Sequence, residues 1–151
     1  MNKFMQIAID EAREGIEYND GGPFGAVVVK DGKIVGRGHN MVVSTVDPTA
    51  HGEIEAIRDA CQRLGTFDLT GCEIYTTGYP CPMCFGAILW ANIKKVYYGC
   101  NTSDTEAIGF RDKNFEESIS QKMVEMCEEV ARDACLQLYD EYKNNPDATA
   151  Y

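Results

Sequence analysis

Two short runs hold the side chains that could do chemistry together, His51-Gly52-Glu53 and Pro80-Cys81-Pro82-Met83-Cys84. A Cys-x-x-Cys pair at a helix start brings two sulfurs to one point, and the unpaired N–H groups there favour thiolate. With the imidazole of His51 they make three protein ligands. A catalytic zinc needs that number, because its fourth tetrahedral position stays open to a water whose pKa the metal lowers towards neutrality. Glu53 lies two residues beyond the histidine, at the start of the same helix. Its carboxylate can reach such a water without holding the metal, take its proton and pass it to a substrate. Two competing readings stand beside this one. A closed structural zinc would want a fourth Cys or His, and His39, the only other histidine, lies beside the glycine that ends a strand. A redox cysteine pair would give His51 no role.

These runs have to be positioned by the elements around them. Phe4, Ile7, Ala8, Ala12 and Ile16 recur at three-to-four spacing, which predicts an amphipathic helix from Asn2 to Tyr18, ended by the turn residues Asn19-Asp20-Gly21-Gly22-Pro23. Ala26 to Val29 reads as a strand, Lys30-Asp31-Gly32-Lys33 as a hairpin turn and Ile34 to Gly38 as the returning strand. A second helix is expected from about Ala50 to Leu64, closed by Gly65, then a strand from Glu73 to Thr77. Pro82 to Ala91 reads as a third helix and Lys95 to Gly99 as a further strand. Beyond Thr105 the chain is expected to be mainly helical, around Phe115 to Tyr142, until Asn144-Asn145-Pro146-Asp147 breaks it. Strands alternate with helices, so the fold class is α/β with helices on both faces of one sheet, and the opening hairpin makes that sheet mixed.

The 151 residues suffice for one domain and one core, and 44% apolar with 25% charged residues is ordinary globular composition. No apolar run approaches the roughly 20 residues that span a bilayer, and the N-terminus lacks the basic-then-apolar layout of a secretory signal. The cysteine count of seven is odd, and only Cys81 and Cys84 are closely spaced. This opposes a disulfide framework and favours a reducing compartment, the cytoplasm. Cys61, Cys72, Cys100, Cys127 and Cys135 are read as small apolar packing residues. The net charge of −10 repels a phosphate backbone rather than recruiting it, so no nucleic-acid partner is expected.

His-x-Glu followed by Pro-Cys-x-x-Cys is the signature of the zinc nucleobase deaminases. On these residues the chain resembles the cytidine deaminase-like superfamily, in its cytosine, guanine and tRNA-adenosine branch. Gly22 to Ala26, Asn40, Asp47-Pro48-Thr49-Ala50, Trp90, Gly109-Phe110-Arg111-Asp112 and the terminal Tyr151 make it most similar to the bacterial guanine deaminase family. The resemblance implies a three-layer α/β/α sandwich whose mixed central sheet has about five strands. It implies one zinc ion per chain on His51, Cys81 and Cys84, and Glu53 as the proton shuttle. It also implies a small nucleobase as substrate. Asn40 would hold the purine by its amide, Phe24 would lie against the ring opposite His51, and Asp112 would accept from guanine N–H groups. Ala50, Pro80 and Trp90 are carried over as further substrate-binding residues. Tyr151 would reach the base from a partner chain, in a homodimer whose C-terminal segment, from about 110 to 151 of a single 1–151 domain, is swapped.

Two positions depart from the usual pattern of that branch. Tyr79 stands where a Glu commonly precedes Pro-Cys, adding bulk near the site mouth, and Gly52 stands where Ala commonly follows the His. A cytosine or guanosine deaminase shares the zinc chemistry and differs by one ring or one ribose. A tRNA adenosine deaminase is opposed by the charge from Glu116 to Glu141, where Glu116, Glu117, Glu125, Glu128, Glu129, Asp133, Asp140 and Glu141 face only Lys122 and Arg132. A non-enzymatic zinc-binding dimer scaffold would have no need of Glu53.

Overall fold

The computed structural model describes residues 1–151, in two compact units, Met1–Glu116 and Glu117–Tyr151. The first unit is built on a four-stranded sheet. Its strands are β1 (Gly25–Lys30), β2 (Lys33–His39), β3 (Cys72–Gly78) and β4 (Lys95–Cys100), in the spatial order β2-β1-β3-β4. The hairpin turns at Asp31 and Gly32, with φ of 50° and 76°, the two left-handed residues that a tight hairpin of this twist demands. β1 is antiparallel to both β2 and β3, and β4 runs parallel to β3.

The expected fifth strand does not exist. After β4 the chain enters three helices, α5 (Thr102–Ala107), α6 (Asp112–Met126) and α7 (Arg132–Lys143). Their charged residues recur every three to four positions, so no half-buried extended run is left to pair with the outer edge of β4. The helical tail is two helices, separated at Ala131, whose φ is 55°.

Alternation along β1 assigns its two faces. Val27 and Val29 pack with Ala8, Phe4 and Ile7 of α1 (Lys3–Glu17), and with Tyr75. Ala26 and Val28 pack on the other face with Ala56 and Ala60 of α3 (Gly52–Leu64), Ile74, and Ile88 of α4 (Pro82–Trp90). The first unit is therefore an α/β/α sandwich, with α1 on one side and α3 and α4 on the other. α1 is capped by Asn2, whose Oδ1 accepts from the N–H groups of Phe4 and Met5 at 2.9 and 3.1 Å, a contact worth about 1 kcal/mol. β2 carries Gly36 and Gly38 because α3 lies almost on its backbone. A Cβ at Gly36 would sit 2.6 Å from the Ala56 carbonyl oxygen.

The apolar surface is not fully covered within one chain. α4 is apolar around its circumference, and Leu89 and Trp90 are mostly exposed. No residue of α6 or α7 is buried. All seven cysteines are free, but only Cys72, Cys81 and Cys84 are buried. The reading of Cys100, Cys127 and Cys135 as packing residues is corrected: Cys100 ends the edge strand and the other two sit in the tail, where nothing encloses them. No helix is long and apolar enough to cross a membrane.

Candidate active site

Both ligand runs fall at helix starts, on the same side of the sheet. Asp47 accepts from the Thr49 N–H at 2.8 Å and from the Thr49 hydroxyl at 2.7 Å, and this turn delivers His51 as the N-cap of α3. Cys81 is the N-cap of α4, Pro82 is its first residue, and Cys84 follows one turn on. His51 Nδ1 lies 3.6 Å from Cys81 Sγ and 3.5 Å from Cys84 Sγ. With zinc–sulfur bonds of about 2.3 Å and a zinc–nitrogen bond of about 2.05 Å, a tetrahedral ion sets nitrogen and sulfur about 3.6 Å apart. The three donor atoms thus fit a zinc ion in both chemistry and spacing, all lying within 4.8 Å of one another.

The electrostatics suit a cation. Hydrogen bonding from the Cys84 thiol and from His51 pushes the Cys81 pKa down to about 4 against the effect of burial. That bond to Cys81, with burial, holds Cys84 high. The hydrogen bond to Cys81 raises His51, against burial. A positive ion takes over the role these protons play and frees both thiolates.

Glu53 is buried on the first turn of α3, and burial raises its pKa. Its Oε1 lies 2.8 Å from Thr76 Oγ1, which is also 3.1 Å from the Gly78 carbonyl oxygen. The single hydroxyl proton of Thr76 can serve either acceptor. Thr76 therefore donates to the ionised Glu53, or accepts from the protonated one while donating to Gly78, and holds the carboxyl in place through both states. Sequence reasoning passed over Thr76, because a Thr in a strand reads as an ordinary β-former. Its inward position between Ile74 and Gly78 was the available signal.

A cavity of about 490 Å³ opens beside this group, lined by His51 and Glu53 together with Phe24, Asn40 and Asp112. Asn40 is buried, and its Oδ1 accepts from the Val42 N–H at 3.0 Å, which leaves its NH2 group to donate to a ligand. Phe24 is held edge-on by Phe110, with ring centroids 4.9 Å apart. Partial burial, and then the negative Cys81, raise the pKa of Asp112. Phe110 and Arg111 line the cavity too, although the sequence pointed only to Asp112 of that run. Tyr79 lines the mouth and stacks edge-on against Tyr98 at 5.0 Å. Gly52 has a reason of its own, since a Cβ there would come within 3.0 Å of the Phe24 carbonyl oxygen.

The other expected substrate residues are placed differently. Ala50 and Pro80 are buried next to the ligands but do not line the cavity. Trp90 is 68% exposed and lies off the cavity. It follows Ile88 by two residues, which on a helix turns it away from the side that buries Cys84 and Ile88. Tyr151 is 78% exposed at the end of the second unit.

Residues 1–100 match the model of the cytidine and deoxycytidylate deaminase zinc-binding region. The chain belongs to that family. It is 50% identical over 109 residues to a guanine deaminase of Bacillus subtilis, an alignment that covers 72% of this chain and 70% of the relative. The crystal structure of guanine deaminase from Bacillus subtilis superposes with a TM-score of 0.92 at 40% identity, over 100% of this chain and 99% of that one. A tRNA-specific adenosine deaminase of Aquifex aeolicus is 44% identical over 95 residues, or 63% of this chain and 62% of that relative. Membership makes this a zinc-dependent hydrolytic deaminase, and the three-layer sandwich with four strands is the family's fold as this chain builds it.

Proposed function

We propose that this enzyme hydrolyses guanine to xanthine and ammonia. The observation that carries the reading is the pairing, in one cavity, of a donor amide at Asn40 with a carboxylate at Asp112, beside Glu53 and the zinc ligands. Guanine has acceptors at O6 and N7 and donors at N1 and its 2-amino group, so the two side chains complement its edges. Zinc, when bound, supplies a Lewis acid that makes water a nucleophile near neutral pH. Glu53 takes a proton from the attacking water and places it on the ring nitrogen next to C2. It then moves the proton of the new C2 hydroxyl to the amino group, which leaves as ammonia, and the C2 carbonyl of xanthine remains. A carboxyl whose pKa is raised by burial suits such two-way transfer. Phe24 and His51 flank the space for the flat ring.

The test is ammonia release from guanine, guanosine, cytosine, adenine and a tRNA anticodon stem-loop, each with zinc-loaded enzyme. Turnover of guanine alone is expected. Turnover of adenine in the stem-loop, or of cytosine, would keep the zinc chemistry and overturn the base assignment, with Tyr79 the first residue to change.

The working unit in this reading is a homodimer with exchanged C-terminal segments, each tail bringing Tyr151 to the other chain's base. The uncovered apolar face of α4 and a second unit with no buried residue favour it, because exposed apolar side chains such as Leu89 and Leu138 gain cover when a second chain packs on them. Sedimentation is expected to give a dimer. A fully active monomer would remove Tyr151 from the site. Seven unpaired cysteines favour a reducing compartment, the cytoplasm.

A further inference from the structure

His39 is the one histidine that the zinc site leaves unused, and it is deeply placed, its side chain only 13% exposed. Nε2 lies 2.8 Å from Asp20 Oδ2 and Nδ1 lies 3.1 Å from Glu11 Oε2. Both ring nitrogens can donate only in the imidazolium, so these two carboxylates select that form. Arg37 holds the other oxygen of Glu11 at 3.1 Å, and Glu14 stands close by on α1. The side chain packs close against Gly15, where a Cβ would come 2.7 Å from His39 Cδ2.

The Asp20 end of this bridge leads into the cavity wall. The Asp20 carbonyl oxygen accepts from the N–H groups of Val43 and Ser44 at 2.9 and 3.1 Å, at the start of the short helix α2 (Val42–Thr45). Gly21 follows, so close beneath Asn40 that a Cβ would lie 2.1 Å from Asn40 Oδ1. The same Oδ1 is held from the other side by Val42 N–H. The carboxamide of Asn40 is therefore clamped between two backbone segments, Gly21 and Val42, and Asp20 anchors both.

We propose that His39 is a positioning residue for the base: by tying Asp20 to Glu11 it fixes Gly21 and α2, and through them the Asn40 amide that grips the substrate. The proposal rests on the reading of Asn40 as a base ligand. Burial opposes the charge on His39, but the bonds to Asp20 and Glu11 outweigh it and raise its pKa. A raised cation stabilises the clamp fully below the ordinary pKa of about 6.5 and releases it as pH rises through the higher folded value. The charges around it are Glu11 and Glu14 of α1, Asp20 of the following loop, Arg37 of β2 and, lining the same surface cleft, Glu55, Arg58, Asp59 and Arg63 of α3.

The variants are His39→Gln and Asp20→Asn, each with zinc content and thermal midpoint measured. KM for whichever base the wild type turns over is expected to rise about tenfold in each, with kcat within about twofold, because a ligand loses its placement and the proton shuttle does not. The double variant is expected to match the singles, since both break one link. A readout without turnover is the NMR signal of the Asn40 side-chain NH2 in the zinc-bound protein. In the wild type it is expected to move as pH rises through the His39 titration, and in Asp20→Asn to sit already at its high-pH position. A lower thermal midpoint with unchanged KM and an unmoved Asn40 signal would make the bridge merely structural and overturn the proposal. Should His39→Gln fail to fold, Asp20→Asn gives the same decision. Should guanine not be turned over, the base assignment fails, and the NMR signal still decides this one.

Discussion

Glu53→Gln is expected to bind zinc as the wild type does and to lose about four powers of ten in kcat, since one side chain carries both proton transfers and each is worth about 10²- to 10⁴-fold. The substitution is close to isosteric and keeps an oxygen for the Thr76 hydroxyl, now 2.8 Å from Glu53 Oε1. The carboxyl is already buried and pushed towards its neutral form, so replacing it with a neutral amide adds no unpaired charge to the interior. The fold and the three ligand side chains should be untouched. Only the capacity to accept a proton disappears. Zinc stoichiometry and ammonia release, measured on the same preparation, check this. Retained turnover would take the shuttle away from Glu53, and lost zinc would mean that its carboxylate supports the ligand set.

That the zinc ligands could be picked out from the residues alone has a local cause. Cys81 and Cys84 span the first turn of α4, so the geometry of that pair follows from a few neighbouring dihedral angles, and His51, 30 and 33 residues away, is tied to it by the joint occurrence of the two motifs. The opening hairpin was readable for the same reason, whereas the strand order β2-β1-β3-β4 was not. The Asp31-Gly32 turn dictates the β1–β2 hairpin, and alternation in Ala26 to Val29 assigns the two faces. What the sequence hid is what depends on distant parts of the chain. Thr76 meets Glu53 across a separation of 23 residues, and His39 reaches Glu11 across 28. Nothing in the spacing of either residue announces its partner. The cysteines of the edge strand and the tail were expected to pack because free cysteine usually does. Their exposure follows from where the chain runs out of layers, at the outer edge of β4, just after α6 and in α7. Trp90 was assigned to the pocket by the family pattern. Helical phase sets it on the far side of α4, where the uncovered apolar face calls for another surface.

Cys84→Ser is expected to abolish both zinc binding and turnover. Cys84 is wholly buried, so no solvent group can replace the missing thiolate, and a serine hydroxyl does not ionise at neutral pH to take its place. Two ligands, His51 and Cys81, would remain, short of the three that leave one position open. Stripping zinc from the wild type with a chelator should reproduce the loss, and returning zinc should restore the wild type but not the variant. Stability gives a second and independent reading of the same event. A ligand that binds only the folded chain stabilises it by about 4 kcal/mol at a thousand times its Kd. The thermal midpoint of the wild type should therefore fall on chelation, whereas that of Cys84→Ser should not respond. The control is Cys135→Ser, at an exposed cysteine of α7 that is no member of the ligand group, which should behave as the wild type in both assays. A Cys84→Ser protein that kept its zinc and its chelator-sensitive midpoint would place the metal elsewhere. The Glu11, Glu14 and His39 group would then be the next place to look, although His39 already has a carboxylate on each ring nitrogen and Arg37 already occupies Glu11.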